Sequence, residues 1–202
     1  MAAMAEPIIL ASASTARARL LDAAGVPFTI QPAAIDEERI KRASREAGSS
    51  AMSCARALAV EKARDVSARH PEALVIGADQ ILVVDDEWFD KPTNLAEARA
   101  QLLSLRGRTH VLATAACVVR CDKQLWHATC APEITMRSFS EAFLDRYIAA
   151  EGDALLGSVG AYRLEGLGVQ LFERTIGDHF AVLGLPLLEL LDFLRSRGVL
   201  LA

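Results

Sequence analysis

The sequence predicts an α/β protein whose mixed β-sheet is flanked by helices. Between Pro7 and Pro92, short apolar runs rich in β-branched residues alternate with amphipathic helical stretches. From Arg108 to Arg137 extended segments follow one another with no helix between them, which calls for an antiparallel or mixed portion of the sheet. A hydrophobic fraction of 52% over 202 residues and a mean hydropathy of +0.23 mark a globular core. That length accommodates one α/β domain or two tight lobes.

The composition excludes several function classes. The net charge is −4, from 22 Lys and Arg against 26 Asp and Glu, with both signs scattered along the chain. This argues against a broad nucleic-acid surface and leaves room for a small basic pocket that takes a phosphorylated metabolite. No apolar run approaches the roughly 18 residues of a membrane helix. The opening MAAMAEPIILASAS has no basic region, so no signal peptide is expected. Cys54, Cys117, Cys121 and Cys130 form no CxxC pair, and reduced thiols in a cytoplasmic protein are expected. His70, His110, His127 and His179 lack metal-ligand spacing and are read as structural.

Pro7 to Ala11 reads as a strand that leads directly into SASTARARLLDAAG. Ser14 or Thr15 caps this helix, Leu20, Leu21 and Ala24 line its inner face, and Gly25 closes it. A strand running into a hydroxyl-rich helix start offers backbone N–H groups to an anion. Arg17, one turn in, can reach the same point and bind phosphate with paired hydrogen bonds, while Arg19 is solvated. Val26 to Pro32 reads as a second strand, with the acids Asp36 and Glu37 at its strand-to-loop boundary. Such oxygen ligands suit a hard cation, or are simply solvated. Residues 41–50 are small and polar and read as a mobile connection.

Ser50 to His70 reads as a helix with Ala55, Leu58, Ala59 and Val66 on its apolar face. Lys62 falls at the centre of that face. Its ammonium either snorkels past the edge of the core or meets a buried anion. On the apolar face alone, Lys62→Met is expected to preserve or raise thermal stability.

The most informative stretch is ALVIGADQILVVDDEWFDKP, from Ala73 to Pro92. Ala73 to Val84 has the composition of a buried strand, with Glu87-Trp88-Phe89 as a short returning strand. Asp79 shares a face with Val75, Gly77, Ile81 and Val83. Burying an unpaired carboxylate is costly, so one placed there points to a function. The alternative is a strand that ends at Ile76 and a solvated Asp79 in a turn. A helix follows from Asn94 to Arg106, with Asn94 and Glu97 as a capping box. A strand from Arg108 to Arg120, a turn at Cys121-Asp122-Lys123-Gln124 and extended structure from Trp126 to Arg137 come next. Ser140 caps a further helix. The stretch GSVGAYRLEGLG, residues 157–168, holds four glycines and one acid, Glu165, in a spacing that fits neither a dinucleotide fold nor a P-loop. Val169 to Glu173 reads as a strand and LGLPLLELLDFLRSRG as the terminal helix, with Pro186 in its first turn.

Taken in order, LASAS with Arg17 and Leu20-Leu21, Ile35-Asp36-Glu37, Glu61-Lys62-Ala63, Gly77-Ala78-Asp79, Lys91-Pro92, Leu105-x-Gly107 before His110, Gly160-Ala161-Tyr162, Glu165-Gly166 and Gly184-Leu185-Pro186 resemble the Maf family of nucleoside triphosphate pyrophosphatases nearly end to end. The resemblance implies one domain over residues 1–202, with two lobes around a cleft and a fold similar to inosine-triphosphate pyrophosphatases. It implies hydrolysis of a nucleoside triphosphate between the α and β phosphates, with Mg²⁺ or Mn²⁺ as cofactor. By the same resemblance Asp79 is the general base, and Ser12, Ser14, Arg17, Lys62 and Lys91 bind phosphate. Glu37, together with Asp36, lies near the metal. Gln80 and Glu165 match the branch similar to 7-methylguanosine triphosphate pyrophosphatases and imply a preference for guanine-type bases. Thr15, Ala16, Leu156 and Val159 depart from the family pattern and bear on base choice. A homodimer is compatible with the family, and no nucleic acid or membrane is expected as a partner. A nucleotide-binding protein of cell division without turnover is the alternative.

Overall fold

The computed structural model describes residues 6–201. The expectation that no signal peptide opens the chain falls in part on residues 1–5, outside the described residues. In chain order the first elements are β1 (Ile8–Leu10), α1 (Thr15–Ala23), β2 (Thr29–Ile30), α2 (Glu37–Glu46) and α3 (Ala51–Ser67). The long strand β3 (Leu74–Val84), its short return β4 (Glu87–Phe89) and α4 (Leu95–Leu105) follow. Next come β5 (Thr109–Arg120), β6 (Lys123–Cys130), β7 (Glu133–Met136) and α5 (Glu141–Glu151). Short 3₁₀ turns between Gly152 and Leu171 lead to β8 (Phe172–Ile176), α6 (His179–Val182) and α7 (Leu187–Ser196). The strands form a mixed sheet in the order β2-β1-β3-β5-β7-β8, with β4 paired to β3 and β6 to β5. No helix among the described residues is long and apolar enough to cross a membrane.

The chain divides into two compact units, and β3 and β5 each contribute to both. The first unit comprises the residues up to Asp79, Thr114–Cys130 and the residues from Phe180 onward. Here β1 runs parallel to both β2 and β3, with Ile9 opposite Thr29 and Val75, as short apolar strands linked by helices must. Leu10, Leu21, Leu74, Ile76, Val118, Leu185 and Leu190 form its core and are almost wholly buried. The second unit comprises Gln80–Ala113 and Ala131–His179. Its strand pairs are antiparallel: Leu82 faces Phe89, His110 faces Ile134 and Ile134 faces Thr175. Asn94 caps α4 by accepting from the Glu97 N–H at 2.9 Å, and the Glu97 carboxylate reaches back to the Thr93 N–H at 2.8 Å.

Four local expectations are corrected. Residues 41–50, read as a mobile connection, belong largely to α2. This helix has only Ile40 and Ala43 as apolar residues and buries none of its residues, so its apolar face is too sparse to announce it. Its start is held by Asp36, whose side chain accepts from the Arg39 N–H at 2.9 Å, and by acids in the first turn. Asp36 and Glu37 therefore open a helix, where a strand-to-loop boundary was expected. The strand over Val26 to Pro32 contracts to Thr29–Ile30. The strand over Val169 to Glu173 shifts to Phe172–Ile176, with a 3₁₀ turn at Leu167–Leu171 before it. The extended structure expected from Trp126 to Arg137 is borne out by β6 and β7, with a break at Ala131-Pro132, where proline has no N–H for a ladder.

The second unit also buries a histidine. His110 is 1% exposed, its Nε2 lies 2.8 Å from the Tyr162 hydroxyl, and its Nδ1 has no hydrogen-bond partner among the described residues. Burial lowers its pKa from 6.5 to about 4. The unfolded chain takes up this proton as pH falls through 6.5, whereas the folded chain resists until about 4. Stability contributed by neutral His110 is therefore complete above pH 6.5 and is lost towards pH 4, by about 3 kcal/mol at most. Urea unfolding of the protein and of His110→Gln at pH 7 and pH 4.5 should show a smaller acid loss in the variant. Equal losses would remove His110 as the cause.

Candidate active site

The site begins with a close approach of helix to strand. A Cβ on Gly77 would collide with the Ala59 carbonyl oxygen and stand 2.8 Å from the Ala63 Cβ. With glycine in β3 and alanines on the facing side of α3, the two backbones come together. Lys62, beside Ala63, is thereby brought to Asp79, two residues beyond Gly77 in the strand. The Lys62 Nζ lies 2.6 Å from Asp79 Oδ1 and 3.0 Å from Glu37 Oε1. β3 runs to Val84 and Asp79 is buried, so the alternative of a solvated aspartate in a turn is excluded. The snorkelling alternative for Lys62 gives way to the buried anion. The side chains of Lys62 and Asp79 are 10% and 9% exposed and that of Glu37 is 43% exposed, so the cluster meets solvent on the α2 side.

Arg17 supplies a second buried cation. Its Nε donates to the Gly184 carbonyl at 2.8 Å and its Nη1 to Ser12 Oγ at 3.1 Å. Ser12 Oγ also accepts from the Ser14 N–H at 3.2 Å, and Ser14 Oγ caps α1 by accepting from the Arg17 N–H at 3.4 Å. Burial lowers the pKa of Arg17, and the negative charges of Asp79 and Glu37 oppose that shift. Burying two cations with the single carboxylate of Asp79, while Glu37 meets solvent, is poor economy for stability alone, because desolvation consumes most of the Coulombic gain. Such an arrangement is suited to holding a polyanion and moving a proton. Arg19 is exposed, as expected.

The structure thus brings together Ser12, Arg17, Glu37, Lys62 and Asp79, with Ser14 at the edge as a cap. The side chain of Asp36 is engaged at the start of α2. Gln80, Lys91 and Glu165 belong to the second unit. Gln80 follows Asp79 in β3, Lys91 is exposed between β4 and α4, and Glu165 lies in the turn after Tyr162, with its Oε1 3.6 Å from Arg163 Nε. Around Glu165 the structure shows two residues that the sequence reading passed over. Glu151, at the end of α5, accepts from Arg163 Nη1 at 2.9 Å and from the Leu167 N–H at 3.0 Å, which ties both sides of the Glu165 turn to one carboxylate. The available signal was an acid in the last turn of a helix, where the helix dipole disfavours it.

The match to a family profile covers almost all of this architecture: the profile described as Maf-like protein matches residues 7–197. The chain belongs to the Maf-like family. A relative from Rhodospirillum rubrum is 53% identical over 202 residues, covering all of both chains. One from Paramagnetospirillum magneticum is 55% identical over 192 residues, covering 95% of this chain and 99% of its own. Both are named nucleoside triphosphate pyrophosphatase. A third, from Rhizobium etli, is 45% identical over 197 residues, covering 98% of this chain and 99% of its own, and is named 7-methyl-GTP pyrophosphatase.

Proposed function

We propose that the chain hydrolyses nucleoside triphosphates to nucleoside monophosphate and pyrophosphate, with Asp79 as general base. The observation that carries this reading is the buried Lys62–Asp79 pair, joined from the solvent side by Glu37, with the buried Arg17 bonded to Ser12. Water attacks the α-phosphorus, and the bond from that phosphorus to the α,β-bridging oxygen breaks. Pyrophosphate leaves, and the Asp79 carboxylate takes the proton from the attacking water. Arg17 and the Ser12 hydroxyl bind phosphate oxygens, and Lys62 and Lys91 neutralise charge on the triphosphate. An incoming triphosphate offers the Lys62 ammonium new anionic oxygens, which loosens its hold on Asp79 and lets that carboxylate act.

A divalent cation fits this cluster. Two carboxylate oxygens already converge on one cationic nitrogen, and oxygen donors suit Mg²⁺ or Mn²⁺. No group of three or more His, Cys, Asp or Glu that could hold a metal occurs among the described residues, so phosphate oxygens would complete the coordination. Glu37 would hold the ion, with Asp36 at the start of α2, and Asp79 stays as the base. When bound, it would polarise the attacked phosphorus and neutralise developing charge. Release of pyrophosphate from a panel of triphosphates with Mg²⁺ or Mn²⁺ tests the assignment, and absence of release across the panel would leave only nucleotide binding. The cytoplasm is the compartment we assign, a reading supported by the free thiols of Cys54, Cys117, Cys121 and Cys130.

Base choice is assigned to Glu165 and to Gln80, the residue after Asp79 in the chain. A carboxylate can accept from both N1–H and the exocyclic amine of guanine and attracts the positive charge of an N7-methylated base, whereas a pyrimidine offers no equivalent pair of donors. Ala16 supplies no aromatic face for a cationic base, so the preference for the methylated form is looser. Guanine-type triphosphates are therefore expected to be better substrates than dTTP and UTP. Glu165→Gln should narrow that ratio of kcat/KM roughly tenfold without abolishing turnover. Wild-type preference for dTTP or UTP would overturn the base assignment and leave the reaction intact.

A further inference from the structure

We propose that Gly184 is a positioning residue that aims Arg17 at the phosphates. This rests on the reading of Arg17 as a phosphate ligand. The Gly184 carbonyl accepts the Arg17 Nε–H at 2.8 Å in a buried contact between residues far apart in the chain. Gly184 has a φ of +97°, and a Cβ there would stand 3.1 Å from Arg17 Nε and 3.4 Å from Nη2. Only glycine gives the turn this conformation cheaply while letting the guanidinium lie against the backbone. The partner is also a neutral carbonyl. It fixes the orientation of the guanidinium without neutralising its charge, which stays available to a polyanion.

The turn that carries Gly184 is itself held. The Gly184 N–H donates to the Ala181 carbonyl at 3.0 Å and the Leu185 N–H to the Phe180 carbonyl at 3.1 Å. The hydroxyl of Thr114, a fully buried residue of β5, donates to the same Ala181 carbonyl at 3.0 Å. Leu185 is wholly buried in the core just before α7 begins. A buried chain of contacts therefore runs from Thr114 through Ala181 and Gly184 to Arg17, and from Arg17 to Ser12. Two of the five guanidinium donors are committed to Gly184 and Ser12, which leaves the group oriented in two directions with donors in reserve.

The test is a double-mutant cycle on pyrophosphate release, using the best triphosphate substrate and rates per folded molecule. Gly184→Ala should lower kcat/KM about tenfold, mostly through KM, as expected for a misaligned hydrogen-bonding ion. Thr114→Val keeps its shape and loses the hydroxyl, and should cost about threefold by loosening the turn. In an Arg17→Met background neither change should matter beyond about twofold, since the group they aim is gone. The same loss with and without Arg17 would reduce Gly184 and Thr114 to scaffold residues, and no loss in the wild-type background would overturn the proposal outright. If Gly184→Ala does not fold, Thr114→Val in both backgrounds decides by the same two outcomes. Arg17→Met with unimpaired turnover is a separate result, because it would overturn the phosphate-binding role of Arg17 itself.

Discussion

Asp79→Asn is expected to lower kcat by at least about a hundredfold, the usual cost of losing a general base. The change is nearly isosteric and removes the carboxylate charge. Breaking a buried pair usually costs about 3–5 kcal/mol because it strands the remaining charge. Here the Lys62 Nζ still has Glu37 Oε1 at 3.0 Å, so the loss of stability should fall below that range and the variant should stay folded. Nucleotide binding should survive or tighten, because one negative charge facing the phosphates has gone. Pyrophosphate release, a thermal melt and calorimetric binding of a non-hydrolysable triphosphate together check the three expectations. Near-normal turnover would remove Asp79 from the base role, and loss of folding would make it a structural residue.

Lys62→Met should lower kcat/KM by about a hundredfold or more, as the loss of a preorganised cation at a phosphoryl centre typically does. Its effect on stability separates two readings of the same residue. The apolar helical face alone suggests that removing the ammonium preserves or raises stability. The 2.6 Å contact with a 9%-exposed aspartate side chain reverses that expectation, since the variant leaves Asp79 and Glu37 close together without the cation between them. A destabilisation of about 3 kcal/mol is expected, with Arg17 compensating in part. Lys62→Met/Asp79→Asn should recover most of it, because the stranded charge is gone as well. Urea melts of the two single variants and the double variant measure this coupling. A Lys62→Met protein as stable as wild type would show that the pair is not coupled in the folded state.

Much of the site was legible because its residues break local rules. A carboxylate inside a β-branched run, a lysine at the centre of an alanine-rich helical face and an arginine one turn into a hydroxyl-capped helix each contradict the pattern around them, and such contradictions mark function. The start of α2 was hidden for the opposite reason. The only apolar residues of this helix are Ile40 and Ala43 and it buries none of its residues, too little apolar surface to mark a helix, so Asp36 and Glu37 looked like loop acids. The 3₁₀ turns between Gly152 and Leu171 were hidden because their geometry depends on contacts such as Glu151 with Arg163 and Leu167, which join residues of different segments.

By itself the sequence determined the alternation of strands and capped helices, the mixed sheet, and the family to which the chain belongs. It also determined which side chains are chemically out of place, since composition, periodicity and capping act over a few neighbouring residues. Only the tertiary structure decided which of those side chains meet. It placed Lys62 on Asp79 and Glu37, because Gly77 lets α3 approach β3. It also seated Arg17 on the carbonyl of Gly184 and gave Asp36 to a helix cap. These partners lie far apart in the chain, or depend on a helix with too sparse an apolar face, and a buried charge takes its partner from whatever the fold brings within hydrogen-bond distance.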